Sequence, residues 1–142
     1  MSVRHPIISV TGSSRAGTTT VKHTFERIFR REGIGAAFIE GDAFHRYDRA
    51  EMKRAMAEAA NSGNSHFSHF GPYSNLLPEL EAVFAEYGRH GTGRTRHYVH
   101  DAKEAELYGT EPGTFTPWAD FPPGTDLLFY EGLHGAAVTD EV

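Results

Sequence analysis

The stretch that most limits what this chain can fold into is 6-PIISVTGSSRAGTTTVKHTFERIF-29. An apolar run over residues 6–11 reads as a buried strand, with Pro6, Ile7, Ile8 and Val10 inside and Thr11 leading out. It enters a loop bounded by Gly12 and Gly17, and the loop enters a segment in which Val21, Phe25, Ile28 and Phe29 recur at helical spacing. That segment predicts an amphipathic helix from Thr18 to about Arg31, closed by Gly33. Strand, glycine-bounded loop and helix in direct succession place a row of backbone N–H groups, and the positive end of a helix dipole, at one point. Such a point attracts a phosphate.

The loop nearly matches G-x-x-x-x-G-K-[ST], but Thr18 stands where that pattern has lysine. Gly12, Ser13, Ser14, Arg15, Ala16, Gly17, Thr18, Thr19 and Thr20 form the expected phosphate cradle. Thr19 occupies the position whose hydroxyl reaches Mg²⁺ in that pattern. Threonine at 18 supplies a hydrogen bond and no charge. Arg15, inside the loop, and Lys22, one turn along the helix, are the nearby cations. Helix geometry favours a solvated Lys22 on the helix surface over a phosphate ligand.

The rest of the chain alternates in the same way. Residues 34–40 read as a second strand ending at Gly41-Asp42. Asp48 with Glu51 three residues on is a capping box that opens a helix through about Ala60. Residues 61–75 are loop-like by their Gly, Ser, Asn and Pro content. A third helix carries Leu76, Leu77, Leu80, Val83, Phe84 and Tyr87 and ends at Gly88 and Gly91. Residues 94–100 fit a short strand, and residues 101–124 are polar with a weak helix near Ala102–Leu107. Residues 126–132 form a strongly apolar strand ending in Glu131. Strands alternating with helices predict an α/β fold with a mainly parallel sheet, in the order of a P-loop kinase.

In such sheets ligands gather at the carboxyl ends of strands. Glu131 is an acid there, placed to order Mg²⁺ or its water shell, or else to cap a neighbouring loop. Asp42 ends the second strand at the same sheet edge. It fits either a base that takes a proton from an attacking hydroxyl or a turn aspartate. His45, Arg49 and Lys53 follow at four-residue steps, a stripe that suits a phosphorylated substrate, although a solvated helix face is the commoner fate of such spacing.

Composition removes several alternatives. A net charge of −5 speaks against a general nucleic-acid or membrane-surface binder. The absence of cysteine excludes disulfides, thiolate catalysis and cysteine zinc sites within this sequence. The histidine pairs His66/His69 and His97/His100 lie in polar loops and are read as surface or substrate contacts in preference to zinc ligands. Trp118 and the phenylalanines are read as core or loop packing. The first ten residues are too short and interrupted for a signal peptide, and no apolar run is long enough to span a bilayer. A cytoplasmic location is the expectation.

Taken together, 7-IISVTGSSRAGTTTVKHTF-25, 39-IEGDAFHRYDR-49, 66-HFSHFGPYSNLLPELE-81, 93-GRTRHYVHD-101, 112-PGTFTPWADF-121 and 127-LLFYEGLHGA-136 resemble the prokaryotic-type phosphoribulokinases. The resemblance implies a three-layer P-loop fold and transfer of phosphate from ATP, with Mg²⁺, to the C1 hydroxyl of D-ribulose 5-phosphate in the Calvin cycle. It makes threonine after the second glycine the family's normal form. It implies that Asp42 is the general base, Glu131 and Thr19 the Mg²⁺ residues, and His45, Arg49, Lys53, Tyr98 and His100 the sugar-phosphate contacts. Arg31 matches a position linked to effector response. Arg15 stands where glycine is expected and Tyr73 where an acid is more usual. Members of the family continue well past residue 142 and form homo-oligomers. The resemblance therefore implies one kinase domain over residues 1–142 that lacks further strands and a basic lid. A uridine or pantothenate kinase, or a fragment that binds nucleotide without turnover, are the competing readings.

Overall fold

A computed structural model describes residues 4–13, 16–64, 67–68 and 70–135. The first strand, β1 (Ile7–Thr11), leads through the glycine loop into α1 (Thr18–Glu32), then β2 (Ala36–Glu40). A 3-10 turn at Gly41–Phe44 follows, then α2 (Arg49–Asn61) and, after a second short turn, α3 (Leu77–His90). The chain continues through β3 (Arg94–Thr95), α4 (Ala102–Tyr108), β4 (Ala119–Asp120) and β5 (Leu127–Gly132).

The sheet runs β1-β5-β2 with both pairings parallel, so the last strand lies at its centre. That explains the unbroken apolar run 127-LLFYE-131, since a strand covered on both faces has no solvent side to keep polar. Its residues alternate between two cores. Leu127 and Phe129 meet Phe25 and Phe29 of α1 together with Ile8, Val10 and Phe38. Leu128 and Tyr130 meet Leu80, Val83, Phe84 and Tyr87 of α3 together with Ala37, Ile39 and Phe44. Helix, sheet and helix make the three layers that the strand–helix alternation predicts. β3 and β4 form a separate antiparallel ribbon.

Local signals explain the element ends. Gly17 precedes α1 with φ 84°, and Gly33 closes it with φ 67°, both in the left-handed region where a side chain is disfavoured. Asp48 accepts from the Glu51 N–H at 2.8 Å while the Glu51 carboxylate accepts from the Asp48 N–H at 2.9 Å, the reciprocal box expected from the sequence.

Two expectations need correction. The third helix passes through Gly88 and ends only at His90, with Gly91 as its cap. The predicted strand over residues 94–100 shrinks to Arg94–Thr95. Beyond it, Val99 and Tyr98 pair irregularly with the 113–116 segment: Val99 N–H donates to Thr114 O at 2.9 Å, and Gly113 N–H to Val99 O at 2.6 Å. No helix among the described residues is long and apolar enough to cross a membrane.

Candidate active site

The glycine loop, the end of β2 and the end of β5 converge on one cleft of about 400 Å³. Gly12, Ser13, Thr18 and Thr19 form one wall, and Gly41, Asp42 and His45 another, with Tyr130, Glu131 and Gly132 as the floor. The parallel register explains the convergence. β5 pairs Glu131 with Val10 on one side and with Glu40 on the other, so the residues that follow β1 and β2 emerge at the same sheet edge. Gly12 N–H donates to Gly132 O at 3.2 Å and ties the loop to the floor. Two glycines let the opposite wall come close. A Cβ on Gly41 would stand 2.7 Å from the Tyr130 hydroxyl and 3.0 Å from Gly132 Cα.

Of the cradle residues, Gly12, Ser13, Thr18 and Thr19 face this cleft, while Ala16, Gly17 and Thr20 shape the loop and the first helical turn. Ser14 and Arg15 lie outside the described residues. The Thr18 hydroxyl donates to Glu131 Oε1, so the residue that replaces lysine is engaged with the strand-end acid. Thr19 and Glu131 share a second, adjoining pocket with Asp42 and His100. Lys22 is not the solvated lysine expected from helix geometry. Its Nζ lies 2.7 Å from Glu40 Oε1 and 3.7 Å from Glu26, with only 15% of the side chain exposed. Burial opposes the charge, but the bond to Glu40 and the surrounding carboxylates prevail and raise its pKa.

Asp42 sits in the 3-10 turn between two histidines. His100 Nε2 donates to its Oδ2 at 2.9 Å and His45 Nε2 to its Oδ1 at 3.1 Å. The bond from His100, then that from His45, hold the carboxyl well below the usual carboxylate range against the opposing effect of burial. His100 also gives Nδ1–H to Glu104 at 3.0 Å. A ring donating to carboxylates on both sides is the imidazolium, and the Asp42 bond, opposed by burial and aided by Glu104, pushes its pKa up to about 9. His45 is anchored from behind, its Nδ1 lying 2.9 Å from Oδ1 of the buried Asn75.

Beside Asp42 lies a neighbouring pocket lined by His45, Asp48, Arg49, Met52, Lys53 and Tyr98. The structure thus brings the predicted cationic stripe together on one wall. The Tyr98 ring stands edge-on to both His45 and His100, at 6.3 and 4.9 Å between centroids. Arg49 Nη2 donates to His100 O at 2.8 Å. His97 stacks on Tyr108 at 4.7 Å, separate from His100, and no cluster of metal-ligating side chains is present among the described residues. His66 and His69 lie outside them. Arg31 is 78% exposed on the far end of α1, paired with Glu32, and Tyr73 is 76% exposed.

Three residues of the site were not singled out by sequence: Asn75 behind His45, Glu104 behind His100, and Arg96. The Arg96 guanidinium donates at 2.8 Å to Ala43 O and at 2.8 Å to His45 O. One signal was available for Glu104. It is the third residue after Asp101, whose side chain accepts from the Glu104 N–H, so the pair announces a helix start.

A parallel sheet flanked by helices, a glycine loop feeding α1, and acids at the carboxyl ends of β2 and β5 define a P-loop kinase fold. Residues 7–142 match the family described as phosphoribulokinase / uridine kinase, and the chain belongs to that family. It is 66% identical over 139 residues to the phosphoribulokinase of Nitrobacter vulgaris, covering 98% of this chain and 48% of that protein. It is 63% identical over 142 residues to the chromosomal phosphoribulokinase of Cupriavidus necator, covering all of this chain and 49% of the relative. Among solved structures, the phosphoribulokinase from Rhodobacter spheroides superposes with a TM-score of 0.85 at 57% identity, over 98% of this chain and 47% of the other. A D-glycerate 3-kinase from Cryptococcus neoformans shares the fold at a TM-score of 0.52 and 16% identity. The chain spans about half the length of the curated relatives it matches.

Proposed function

We propose that the protein transfers the terminal phosphoryl group of ATP to the C1 hydroxyl of D-ribulose 5-phosphate, the Calvin-cycle step that gives ribulose 1,5-bisphosphate. The observation that carries this reading is the shared cleft. A backbone cradle for polyphosphate opens onto Asp42, and a pocket with His45, Arg49, Lys53 and Tyr98 lies next to it. The cradle takes the nucleotide phosphates, and the cationic pocket takes the acceptor's own phosphate. The acceptor hydroxyl is then held towards Asp42 by binding energy gained elsewhere on the sugar.

Asp42 receives the proton of the attacking hydroxyl. Its two histidine donors make it a weak base, which suits phosphoryl transfer through a loose transition state. The attacking oxygen becomes acidic only late, once its bond to phosphorus is forming. The His45 and His100 donors also hold the carboxylate in one orientation.

The residues present fit Mg²⁺. Thr18, Thr19 and Glu131 offer hard oxygen donors beside the cradle, the donor type this ion prefers. Glu131 and Thr19 would hold it, and when bound the ion neutralises charge on the phosphate oxygens. The same reading puts the protein in the cytoplasm, with its two phosphorylated substrates. The expectation of a homo-oligomer rests on the family resemblance alone, and light scattering checks it.

Coupled ADP release with ribulose 5-phosphate and, separately, uridine as acceptors tests the assignment. Turnover with the sugar phosphate alone supports it. Turnover with uridine alone overturns it in favour of a nucleoside kinase. ATP binding without turnover on either acceptor leaves a nucleotide-binding role in its place.

A further inference from the structure

Among the described residues, Arg96 has no carboxylate partner within salt-bridge distance. None of its hydrogen bonds or close ion pairs among the described residues goes to a carboxylate, and Glu51 acts on it only from further away. Its guanidinium lies over the ring of Phe115 at 3.6 Å and over that of Trp118 at 4.5 Å. Trp118 in turn meets Phe44 edge-on at 5.4 Å. From this stack Arg96 sends Nε–H to Ala43 O and Nη2–H to His45 O, each at 2.8 Å. Those carbonyls flank Phe44, whose own carbonyl accepts from Leu76 N–H at 2.7 Å on the other side. Three successive carbonyls leaving the 3-10 turn are thus held by two donors of Arg96 and one of the backbone.

We infer that Arg96 is a positioning residue. By gripping the carbonyls of Ala43 and His45 it fixes the backbone path that keeps the His45 ring against Asp42, and its stack ties that grip to the wall of the acceptor pocket. The sequence order supports this, because the gripped carbonyls follow directly on Asp42 and one of them belongs to His45 itself. The stack reaches the pocket through Phe115, which meets Tyr98 at 5.4 Å, and Tyr98 lines it. Lysine cannot replace this function, since one ammonium lacks the planar fork that spans two carbonyls while its face rests on an aromatic ring.

The test uses Arg96→Lys in the full chain, with two kinds of readout. The first is the ¹⁵N resonance of His45 Nε2, assigned with His45→Gln, with Asp42→Asn defining the position of the signal when the contact is lost. In Arg96→Lys this resonance moves most of the way to the Asp42→Asn position. The second rests on the proposed function: kcat with ribulose 5-phosphate falls about tenfold to a hundredfold, while ADP affinity stays within about twofold. An unmoved His45 resonance, alongside a shifted emission of Trp118, the chain's single tryptophan, reduces Arg96 to packing and overturns the inference. Should Arg96→Lys fail to fold, Trp118→Leu removes one wall of the stack. The His45 signal then moves in the same direction by less, and no movement is again fatal. If the wild type does not phosphorylate ribulose 5-phosphate, the functional reading fails and the resonance alone still decides the role of Arg96.

Discussion

Asp42 was legible at the residue scale as an acid at a strand end, but not as the centre of a chain of charges. Its position follows from local order, strand then Gly41 then acid. Its partners are set by long-range closure: His100 arrives from 58 residues away and is held by Glu104. Spacing along the chain carries no trace of such a meeting. Two predictions belong here. On the proposed function, Asp42→Asn removes the proton acceptor and lowers kcat with ribulose 5-phosphate by about 10²–10⁴-fold. Titration with ADP, which does not need the base, shows near wild-type affinity. The second concerns pH. The pKa of His100 is raised from 6.5 to about 9 in the fold, so its contribution to stability is complete below pH 6.5 and is lost as pH rises through about 9. The side chain is 42% exposed, so solvent screening keeps the effect small. The Tm difference between wild type and His100→Gln is therefore largest below pH 6.5 and closes above about 9. A difference that grows with pH contradicts the assignment.

The elements that declare themselves through local hydrogen bonding were the ones read well. The box of Asp48 and Glu51 fixes where α2 starts, and with it the direction in which Arg49 and Lys53 leave the helix. Asp48→Ala removes one half of that box and destabilises the protein by about 1 kcal/mol, measured by urea unfolding. On the proposed function, acceptor KM rises with it, because Arg49 and Lys53 lose their fixed origin. The 94–100 segment was misread for the opposite reason. Its alternation looks like a strand, yet Arg96 turns to the carbonyls of Ala43 and His45, and Val99 pairs with residues 113 and 114. A short run whose partners lie in an irregular loop has no local mark that separates it from a true strand. The Gly41 contact was equally hidden, since nothing near it in sequence announces the Tyr130 hydroxyl. Tyr130 is itself buried, which pushes its pKa up to about 12, and its oxygen accepts the His134 N–H at 3.1 Å. A methyl at position 41 must displace that ring or the Gly132 backbone. Gly41→Ala costs roughly 1–3 kcal/mol in unfolding experiments, as overpacking does elsewhere.

For the whole molecule, the two faces of β5 divide the labour of the site. Odd positions face α1, whose first turn carries Thr18 and Thr19, and even positions face α3 and the turn that carries Asp42. The sequence showed β5 as apolar and acid-ended, but it could not show that this strand lies between β1 and β2, since strand order is a property of closure and not of any segment. Once the order is known, the alternation becomes a prediction. Phe129 touches the rings of Phe25, Phe29 and Phe38 at 5.2, 6.0 and 5.8 Å between centroids, so it fixes how α1 rests on the sheet. Phe129→Leu keeps an apolar filler, loses the ring contacts and costs about 1–3 kcal/mol. Because the glycine loop hangs from α1, the loosened helix spreads the cradle and weakens ADP binding, measured by calorimetry. The His45 contact to Asp42 persists, because His45 follows Phe44, which packs into the core on the other face. Leu128→Ala, one residue back, reverses the pattern: the His45 resonance moves while ADP affinity holds. Equal loss of both properties in both variants would mean that the sheet transmits strain across its thickness, and the division of labour between its faces would have to be given up.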